Sequence, residues 1–318
     1  MKAHATPKDG AVFSGESIRK EKSGKLSRRD PLKFVIPKGS LEQATIDLFR
    51  RAGWNISVSP RSYFPSVDDD EIFMARLRAQ EISRYIESAT FDAGLTGKDW
   101  ILENESNVKV IDDLVYSKVS QNPARWVLAV DAGSGYKVPE DLEGKRIATE
   151  LVGVTKKFFS ERGIKVDVEF SWGSTEAKVK EGVVDAIVDV TETGSTLRAN
   201  GLKIIYNILT TNTQLIANNQ SYEDPFKREK IEQIHLMLQS ALEARKMVGL
   251  KMNVPEENLD TVVGLLPSLN APTVAGLYKS EWFSVESVVS EEVVRTLIPK
   301  LLKSGARGII EYSINKVL

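Results

Sequence analysis

The stretch Asp185-Ala-Ile-Val-Asp-Val-Thr-Glu-Thr-Gly-Ser-Thr-Leu197 decides the fold prediction for this chain. Residues 185–190 indicate a short buried strand, because β-branched valine and isoleucine dominate them. A loop of small and hydroxylated residues, 191–196, follows, and residues 197–201 are typical of a helical turn closed by a glycine. Backbone N–H groups and the positive end of a helix dipole meet in such a loop. The stretch therefore indicates either a phosphate-binding loop or an ordinary capped turn between strand and helix.

The composition of the 318 residues excludes several classes of protein. The net charge of −1 provides no basic field, so we expect neither a nucleic-acid partner nor an anionic membrane. The absence of cysteine excludes disulfides, thiolate catalysis and cysteine metal sites. His4 and His235 fall in a predicted tail and a predicted long helix, which argues against a histidine triad or a zinc site. No apolar run approaches the roughly 20 residues that span a membrane.

The amino-terminal residues 1–31 show no apolar period and carry mostly basic charge. Without a continuous apolar segment they do not resemble a secretory signal. Organelle targeting is an alternative, although four acidic residues weaken it. We predict a disordered extension.

Two further turns share the design of the opening loop. Residues 32–36 form a predicted strand that leads through the turn 37–40 into a helix, for which Ser40 and Gln43 suggest a capping box and Gly53 an end. A third strand leads through residues 95–98 into another helix. Ligand-binding turns lie at the carboxyl ends of strands in open α/β sheets, so we expect the three turns to meet at one cleft. Each turn taken alone could equally be an ordinary surface turn.

A run of four acidic residues, Asp68-Asp69-Asp70-Glu71, is the clearest charge cluster in the chain. Carboxylates could bind a hard cation, but no ligands at suitable spacing accompany the run. The pattern favours a solvated turn over a metal site.

The rest of the chain divides into two further units. Residues 126–203 suggest a compact βαβαβ unit, in which Ser174 precedes a helix as its predicted cap. A long helix is predicted to begin at Asp224-Pro225. The carboxyl-terminal order β-α-β-β-α-β is that of a ferredoxin-like domain, with Ser290 as the cap of its second helix. Such a domain could regulate the protein or only assemble it.

A set of ordered motifs resembles one enzyme family. The family signature places a glutamate, five residues, a glycine, an aliphatic residue, an aspartate and Thr-Gly-x-Thr-Leu in order. Here the signature is carried by Glu176, Gly182, Ile187, Asp189 and Thr193-Gly-Ser-Thr-Leu197. Supporting segments are Ile36-Pro-Lys-Gly39, Leu77-Arg-Ala-Gln-Glu-Ile82, Asp92-Ala-Gly-Leu-Thr-Gly-Lys-Asp99, Ile147-Ala-Thr-Glu150, Leu266-Pro-Ser-Leu-Asn-Ala-Pro-Thr-Val274 and Lys303-Ser-Gly-Ala-Arg-Gly-Ile309. From Lys33 to Val317 the chain resembles the long form of ATP phosphoribosyltransferase, the first enzyme of histidine biosynthesis.

The resemblance implies a fold and a division into domains. It implies an α/β protein whose two-lobed catalytic core is similar to type II periplasmic binding proteins, followed by a C-terminal ferredoxin-like, ACT-like domain. The expected boundaries are 32–125 with 206–228 for catalytic domain I, 126–205 for catalytic domain II with the phosphate loop, and 229–318 for the linker helix and regulatory domain.

The resemblance also implies an activity and its residues. The family transfers phosphoribosyl from phosphoribosyl pyrophosphate to N1 of ATP with Mg²⁺, releasing pyrophosphate. The expected catalytic residues are Asp189, Lys38 and Arg78. The residues expected to bind phosphoribosyl pyrophosphate are Asp189, Thr193, Gly194, Ser195 and Thr196. Those expected to bind the nucleotide are Lys38, Gly39, Thr96, Gly97, Lys98 and Glu150. No direct protein ligand of Mg²⁺ is predicted.

Regulation and assembly follow from the same resemblance. Long-form relatives bind histidine as a feedback inhibitor and exchange between hexamer and dimer, and the matching pocket falls at Asn253, Ala271 and Thr273. A cytoplasmic location is expected. Two alternatives remain at this stage: a non-catalytic two-lobed protein that binds a small ligand, and a regulatory subunit that has lost turnover.

Overall fold

The computed structural model describes residues 30–59, 61–116, 123–267 and 271–318. The prediction of a disordered extension over residues 1–31 lies almost entirely outside the described residues. The chain that follows forms two α/β sheets and a separate antiparallel sheet.

The first sheet has five strands in the order β4-β1-β5-β12-β6. Strand β1 runs parallel to β4 and β5, whereas β12 runs antiparallel to β5 and β6. The strands are β1 (Leu32–Lys38), β4 (Ile72–Arg78), β5 (Ala93–Gly97), β6 (Lys109–Leu114) and β12 (Thr213–Ala217), with a ribbon of β2 (Ile56–Ser57) and β3 (Ser66–Val67) beside them. The helices are α1 (Glu42–Ala52), α2 (Ala79–Glu87) and α3 (Lys98–Glu103). Phe34 and Phe49 pack edge to face, 5.6 Å apart, in the core.

The second sheet contains the strand and loop of residues 185–197. Its order is β11-β7-β10-β8-β9. The strands are β7 (Ala124–Asp131), β8 (Arg146–Thr149), β9 (Asp167–Phe170), β10 (Ala186–Thr191) and β11 (Leu202–Thr211), and the helices are α4 (Val152–Ser160), α5 (Thr175–Lys180) and α6 (Ser195–Ala199). Strand β10 is central: it is parallel to β8 and antiparallel to β7, and Ile187 and Val188 are buried. The predicted buried strand is therefore confirmed, one residue later than expected.

The chain passes between the two sheets twice. It enters the second sheet at β7 and returns where β11 meets β12, with Asn212 alone between them. The predicted boundary between residues 205 and 206 falls inside β11, which pairs with β7 over its length. The division of the chain into domains stays a prediction.

A long helix joins the first sheet to the C-terminal sheet. After α7 (Asn219–Glu223), α8 (Pro225–Ala244) begins at Asp224, whose carboxylate accepts a 3.0 Å hydrogen bond from the Lys227 N–H. Its apolar face, with Ile234 and Leu238, belongs to the same core as Phe34. The helix start predicted from Asp224-Pro225 is confirmed. No helix among the described ranges is long and apolar enough to cross a membrane.

The C-terminal sheet has the strand order β14-β15-β13-β16, with antiparallel neighbours throughout. Its elements are β13 (Met247–Pro255), α9 (Leu259–Leu265), β14 (Thr273–Gly276), β15 (Trp282–Ser290), α10 (Glu291–Lys303) and β16 (Arg307–Ser313). Leu250, Val285 and Leu301 are fully buried in its core. This arrangement is ferredoxin-like, and with the two α/β sheets it confirms the predicted fold class.

Of the three predicted serine caps, Ser174 and Ser290 stand at the cap position and Ser40 does not, and no serine side chain makes a capping bond. Helix α1 is preceded by Leu41, not Ser40, and Gln43 bonds the Asp47 side chain at 3.0 Å instead of closing a capping box. Gly39, at φ +112°, turns the chain, and its N–H donates a 3.3 Å hydrogen bond to the Glu42 carboxylate. Ser174 occupies the left-handed region, which differs from the extended backbone that lets a cap accept a bond. Ser290 stands at the cap position of α10, but its hydroxyl accepts no capping bond.

Candidate active site

A cavity of about 460 Å³ lies between the first and second sheets. Parts of all three predicted turns reach it, as do the ends of strands from both sheets. The residues that line it from these turns and strand ends are Lys38, Gly39, Arg78, Gly97, Glu150, Val190, Thr191 and Glu192. The first and second sheets thus place the carboxyl ends of their strands on one cleft, as the sequence predicts.

Two cations stand side by side on the wall from the first sheet. Lys38 ends β1 and Arg78 ends β4, and the two are partners in the parallel register. The Lys38 ammonium lies 4.5 Å from the centre of the Tyr63 ring, and the Arg78 guanidinium lies 5.8 Å from that of Trp172. Adjacent positive charges at strand ends suit a polyphosphate.

The turn 95–98 reaches the cavity through its backbone more than through its side chains. Gly97 lines the cavity, and a Cβ added there would lie 2.0 Å from Oδ1 of Asp99, so only glycine fits. Thr96 is buried, and its hydroxyl donates a 2.8 Å hydrogen bond to the carbonyl of Ala79. Lys98 is exposed. Neither Thr96 nor Lys98 is among the residues that line the cavity.

In the second sheet, Asp189 lies near the end of β10, one residue before the cavity-lining Val190, and is half-buried. Burial raises the pKa of this carboxyl to about 6, and the negative charges of Glu176 and Glu150 add to the rise. One oxygen accepts a 2.7 Å hydrogen bond from the Val190 N–H, which opposes that rise. A carboxylate placed among other acids stabilises hydroxyl donors or a developing positive charge.

The predicted phosphate loop is held by its own hydroxyl groups. The Thr191 hydroxyl accepts a 2.8 Å bond from the Gly194 N–H, and the Thr193 hydroxyl donates a 3.0 Å bond to Ser195. Gly194 has φ +72°, a conformation that favours glycine. Arg198 donates to the Thr193 carbonyl at 3.1 Å and brings a positive charge to the loop. Thr191 lines the cavity, whereas Asp189 and residues 193–196 lie outside its lining.

Asp99 is a cavity residue that the sequence analysis did not select. It is buried, and it accepts a 2.6 Å bond from the Trp126 indole nitrogen and a 3.1 Å bond from the Thr211 hydroxyl. Burial raises the pKa of Asp99 above its ordinary value. Asp99 ends the motif segment 92–99, but its partners lie 27 and 112 residues away in sequence, so the motif does not indicate these contacts. The carboxylate ties α3 of the first sheet to both strands at which the chain passes between the sheets.

Two more side chains cross from the first sheet to the second. Glu103, at the end of α3, accepts hydrogen bonds from the N–H groups of Gly153 at 2.8 Å and Val154 at 2.9 Å, in the first turn of α4. The Gln80 amide donates a 3.3 Å bond to Glu150. These contacts fix the wall that carries Glu150 relative to α2 and α3.

Known proteins resemble the chain over nearly all of this structure. A family model described as HisG, ATP phosphoribosyltransferase, matches residues 78–240, and one described as the HisG C-terminal domain matches residues 244–316. The ATP phosphoribosyltransferase of Desulfatibacillum aliphaticivorans is 64% identical over 289 residues, which are 91% of this chain and 99% of that one. ATP phosphoribosyltransferase 1 of Geobacter sulfurreducens is 56% identical over 90% of this chain and 99% of its own.

The chain belongs to the ATP phosphoribosyltransferase family. The predicted family is confirmed, and with it a glycosyltransferase activity at the first step of histidine biosynthesis. The alternatives of a non-catalytic binding protein and of a subunit without turnover are set aside.

One solved structure resembles about two thirds of this chain. The ATP phosphoribosyl transferase (HisG:HisZ) complex from Thermotoga maritima contains a chain that is 31% identical, with a TM-score of 0.57. The match covers 98% of that chain but 67% of this one. The match therefore leaves about a third of this chain uncovered.

The residues predicted to bind histidine lie in the C-terminal sheet. Asn253 is half-buried on β13, Thr273 is exposed on β14, and β15 runs between these two strands. Ala271 is exposed just before β14. The structure places Asn253 beside Gly308, where a Cβ would lie 3.7 Å from the Asn253 amide nitrogen. Asn253 pairs with Ser284 of β15, and Thr273 pairs with Glu286 of the same strand.

The acidic run at 68–71 makes hydrogen bonds and ion pairs with other parts of the fold. Asp68 accepts two hydrogen bonds from Asn55, each of 2.8 Å, and Asp69 accepts one of 3.1 Å from the Trp54 indole. Lys230 of α8 pairs with Asp69 and Glu71. Within the described parts of the chain, no group of three or more His, Cys, Asp or Glu side chains is arranged to hold a metal ion.

Proposed function

We propose that the cavity between the sheets, together with the loop 193–196 that adjoins it at the end of β10, binds both substrates of the phosphoribosyl transfer, one substrate on each side. The observation that carries this proposal is the adjacent pair Lys38 and Arg78 on one wall, facing a cavity whose other wall carries Glu150 and Thr191. Cations on one side and carboxylates with hydroxyls on the other suit a polyphosphate joined to a sugar.

Phosphoribosyl pyrophosphate is assigned to the wall from the second sheet. Its 5-phosphate binds the loop Thr193, Gly194, Ser195 and Thr196, with Arg198 adding positive charge. Asp189 accepts hydrogen bonds from the ribose hydroxyls. As the bond to pyrophosphate breaks, positive charge develops on the sugar, and the Asp189 carboxylate stabilises it.

ATP is assigned to the wall from the first sheet. Lys38 and Arg78 stabilise phosphate charge, both of ATP and of the departing pyrophosphate. The nucleotide site is completed by Gly39, Thr96, Gly97 and Lys98 of the same wall and by Glu150 of the opposite wall. The N1 atom of adenine has its own lone pair, so the reaction needs positioning more than a general base. Mg²⁺, held largely by substrate phosphates and water, supplies charge neutralisation when bound.

The C-terminal sheet is assigned to regulation and assembly. We propose that histidine binds near Asn253, Ala271 and Thr273, that the protein exchanges between hexamer and dimer, and that it works in the cytoplasm. Support comes from the separate core of this sheet and from the family model described as the HisG C-terminal domain, which matches residues 244–316.

Substitution of the two cations tests the assignment of the walls. With ATP, phosphoribosyl pyrophosphate and Mg²⁺ present, Lys38→Ala and Arg78→Ala should each raise a substrate KM by about tenfold or more, because a charged hydrogen bond contributes about 1.5–3 kcal/mol. Lys156→Ala, which removes an exposed lysine of α4, is the matched control and should leave both KM values unchanged. If all three variants behave alike, Lys38 and Arg78 do not bind phosphate.

A further inference from the structure

Two large aromatic side chains stand exposed at the rim of the cleft, where a folded protein usually avoids them. Trp172 is 69% exposed and Phe170 is 58% exposed. They meet edge to face, with ring centres 6.4 Å apart and planes at 89°. This contact with Phe170 leaves most of the indole surface exposed and open to another contact.

The position of Trp172 follows from the register of the second sheet. Phe170 pairs with Thr149 on the neighbouring strand, and the Ser171 N–H donates a 2.9 Å hydrogen bond to the Thr149 carbonyl. Glu150, which lines the cavity, comes directly after Thr149. Trp172 therefore sits one strand outward from Glu150, at the same carboxyl edge of the sheet.

A cation from the other wall reaches the same ring. The Arg78 guanidinium lies 5.8 Å from the centre of Trp172, and Arg78 itself lines the cavity. Trp172 belongs to the second sheet and Arg78 to the first, so this contact spans the mouth of the cleft. Gly173 and Ser174 both take left-handed backbone, at φ +67° and +49°, and turn the chain back immediately after the indole.

We infer that Trp172 is a base-stacking residue for the adenine of ATP, with Phe170 as the side chain that holds it in place. Adenine offers a π-face of matching size, and its phosphates carry the charge that Arg78 attracts. One nucleotide would then contact Trp172 through its base and Arg78 through its phosphates. This inference rests on the proposed assignment of Arg78 to phosphate. It gives the exposed indole a substrate that the sequence motifs do not assign.

Substrate kinetics test the inference, because stacking acts on the base alone. Trp172→Ala should raise the KM for ATP about tenfold and change the KM for phosphoribosyl pyrophosphate by less than about twofold, whereas Trp172→Phe should keep most of the affinity. Tyr278→Ala removes a side chain that is 86% exposed in the C-terminal sheet, and this control should change neither value.

Inorganic tripolyphosphate separates the base from the phosphates. As a competitor of ATP it should bind wild-type protein and Trp172→Ala equally, and bind Arg78→Ala more weakly. If Trp172→Ala leaves the KM for ATP unchanged, the inference is wrong. If Arg78→Ala leaves tripolyphosphate affinity unchanged, the phosphate assignment is the part that fails. A change of oligomeric state in Trp172→Ala, measured by light scattering with ATP affinity intact, would show that the rim contacts a second copy and would overturn the inference.

Discussion

The indole nitrogen of Trp126 donates a 2.6 Å hydrogen bond to Oδ2 of Asp99, and this bond joins the first sheet to the second. Thr211 adds a 3.1 Å bond to the other carboxylate oxygen from the strand by which the chain returns. One buried side chain therefore contacts both crossings between the sheets, next to the cavity that the sheets enclose.

Removal of this carboxylate should destabilise the protein. Asp99→Ala leaves the Trp126 and Thr211 donors buried without their acceptor, and we expect the free energy of unfolding to fall by about 2–3 kcal/mol. Asp99→Asn keeps one acceptor oxygen and should lose less. Urea unfolding followed by tryptophan fluorescence measures both variants. Equal stability of Asp99→Ala and the wild type would show that these bonds do not hold the sheets together.

The raised pKa of Asp189 predicts opposite changes in stability and activity. The folded protein holds the Asp189 proton up to about pH 6, whereas the ordinary carboxyl pKa is 3.8. Its free energy of unfolding therefore falls as the pH rises from about 4 to about 6, because the folded state binds the proton more tightly. Asp189→Asn should be more stable than the wild type by about 2 kcal/mol at about pH 7.5, with no gain at about pH 4.

The same substitution should abolish most turnover. Asp189→Asn removes the negative charge proposed to face the sugar, and kcat should fall about a hundredfold or more. In the wild type, kcat/KM should decline below about pH 6 as Asp189 takes up its proton. Glu181→Gln, an exposed change at the end of α5, is the control for both measurements. A parallel loss of stability and activity in Asp189→Asn would make Asp189 a structural residue.

Histidine should stabilise the C-terminal sheet if it binds there. Histidine at about 1 mM should inhibit the transfer and raise Tm, because a ligand of the folded state shifts unfolding by mass action. Asn253→Ala should reduce both effects while leaving the uninhibited rate unchanged. Neither inhibition nor a shift in Tm at that concentration would contradict the feedback proposal.

Local patterns in the sequence were enough to predict most of the fold. The hydrophobic runs of β1 and β10 and the Asp224-Pro225 start of α8 are local signals, and the structure has all three elements. The sequence does not determine whether a serine hydroxyl makes the capping bond. Ser174 has left-handed backbone, whereas Ser290 has the extended backbone of an ordinary cap, and neither hydroxyl accepts the bond.

The residues of the candidate site also fall into two groups: those that local motifs predict and those that depend on long-range contacts. Lys38, Arg78 and Thr191–Thr196 lie in motifs, so sequence could place them at strand ends. Asp99 and Glu103 form hydrogen bonds with partners at least 27 residues away. Trp172 stands out only by its exposure and by its contact with Arg78. Such contacts exist only once the two sheets face each other, which no local pattern describes.

The carboxylate of Glu103 occupies the first turn of α4, where it accepts from the Gly153 and Val154 N–H groups. A helix start of this kind attracts anions, and α4 begins two residues after Glu150. Because the Glu103 carboxylate already accepts from these two N–H groups, they are not available to bind the triphosphate of ATP or the released pyrophosphate.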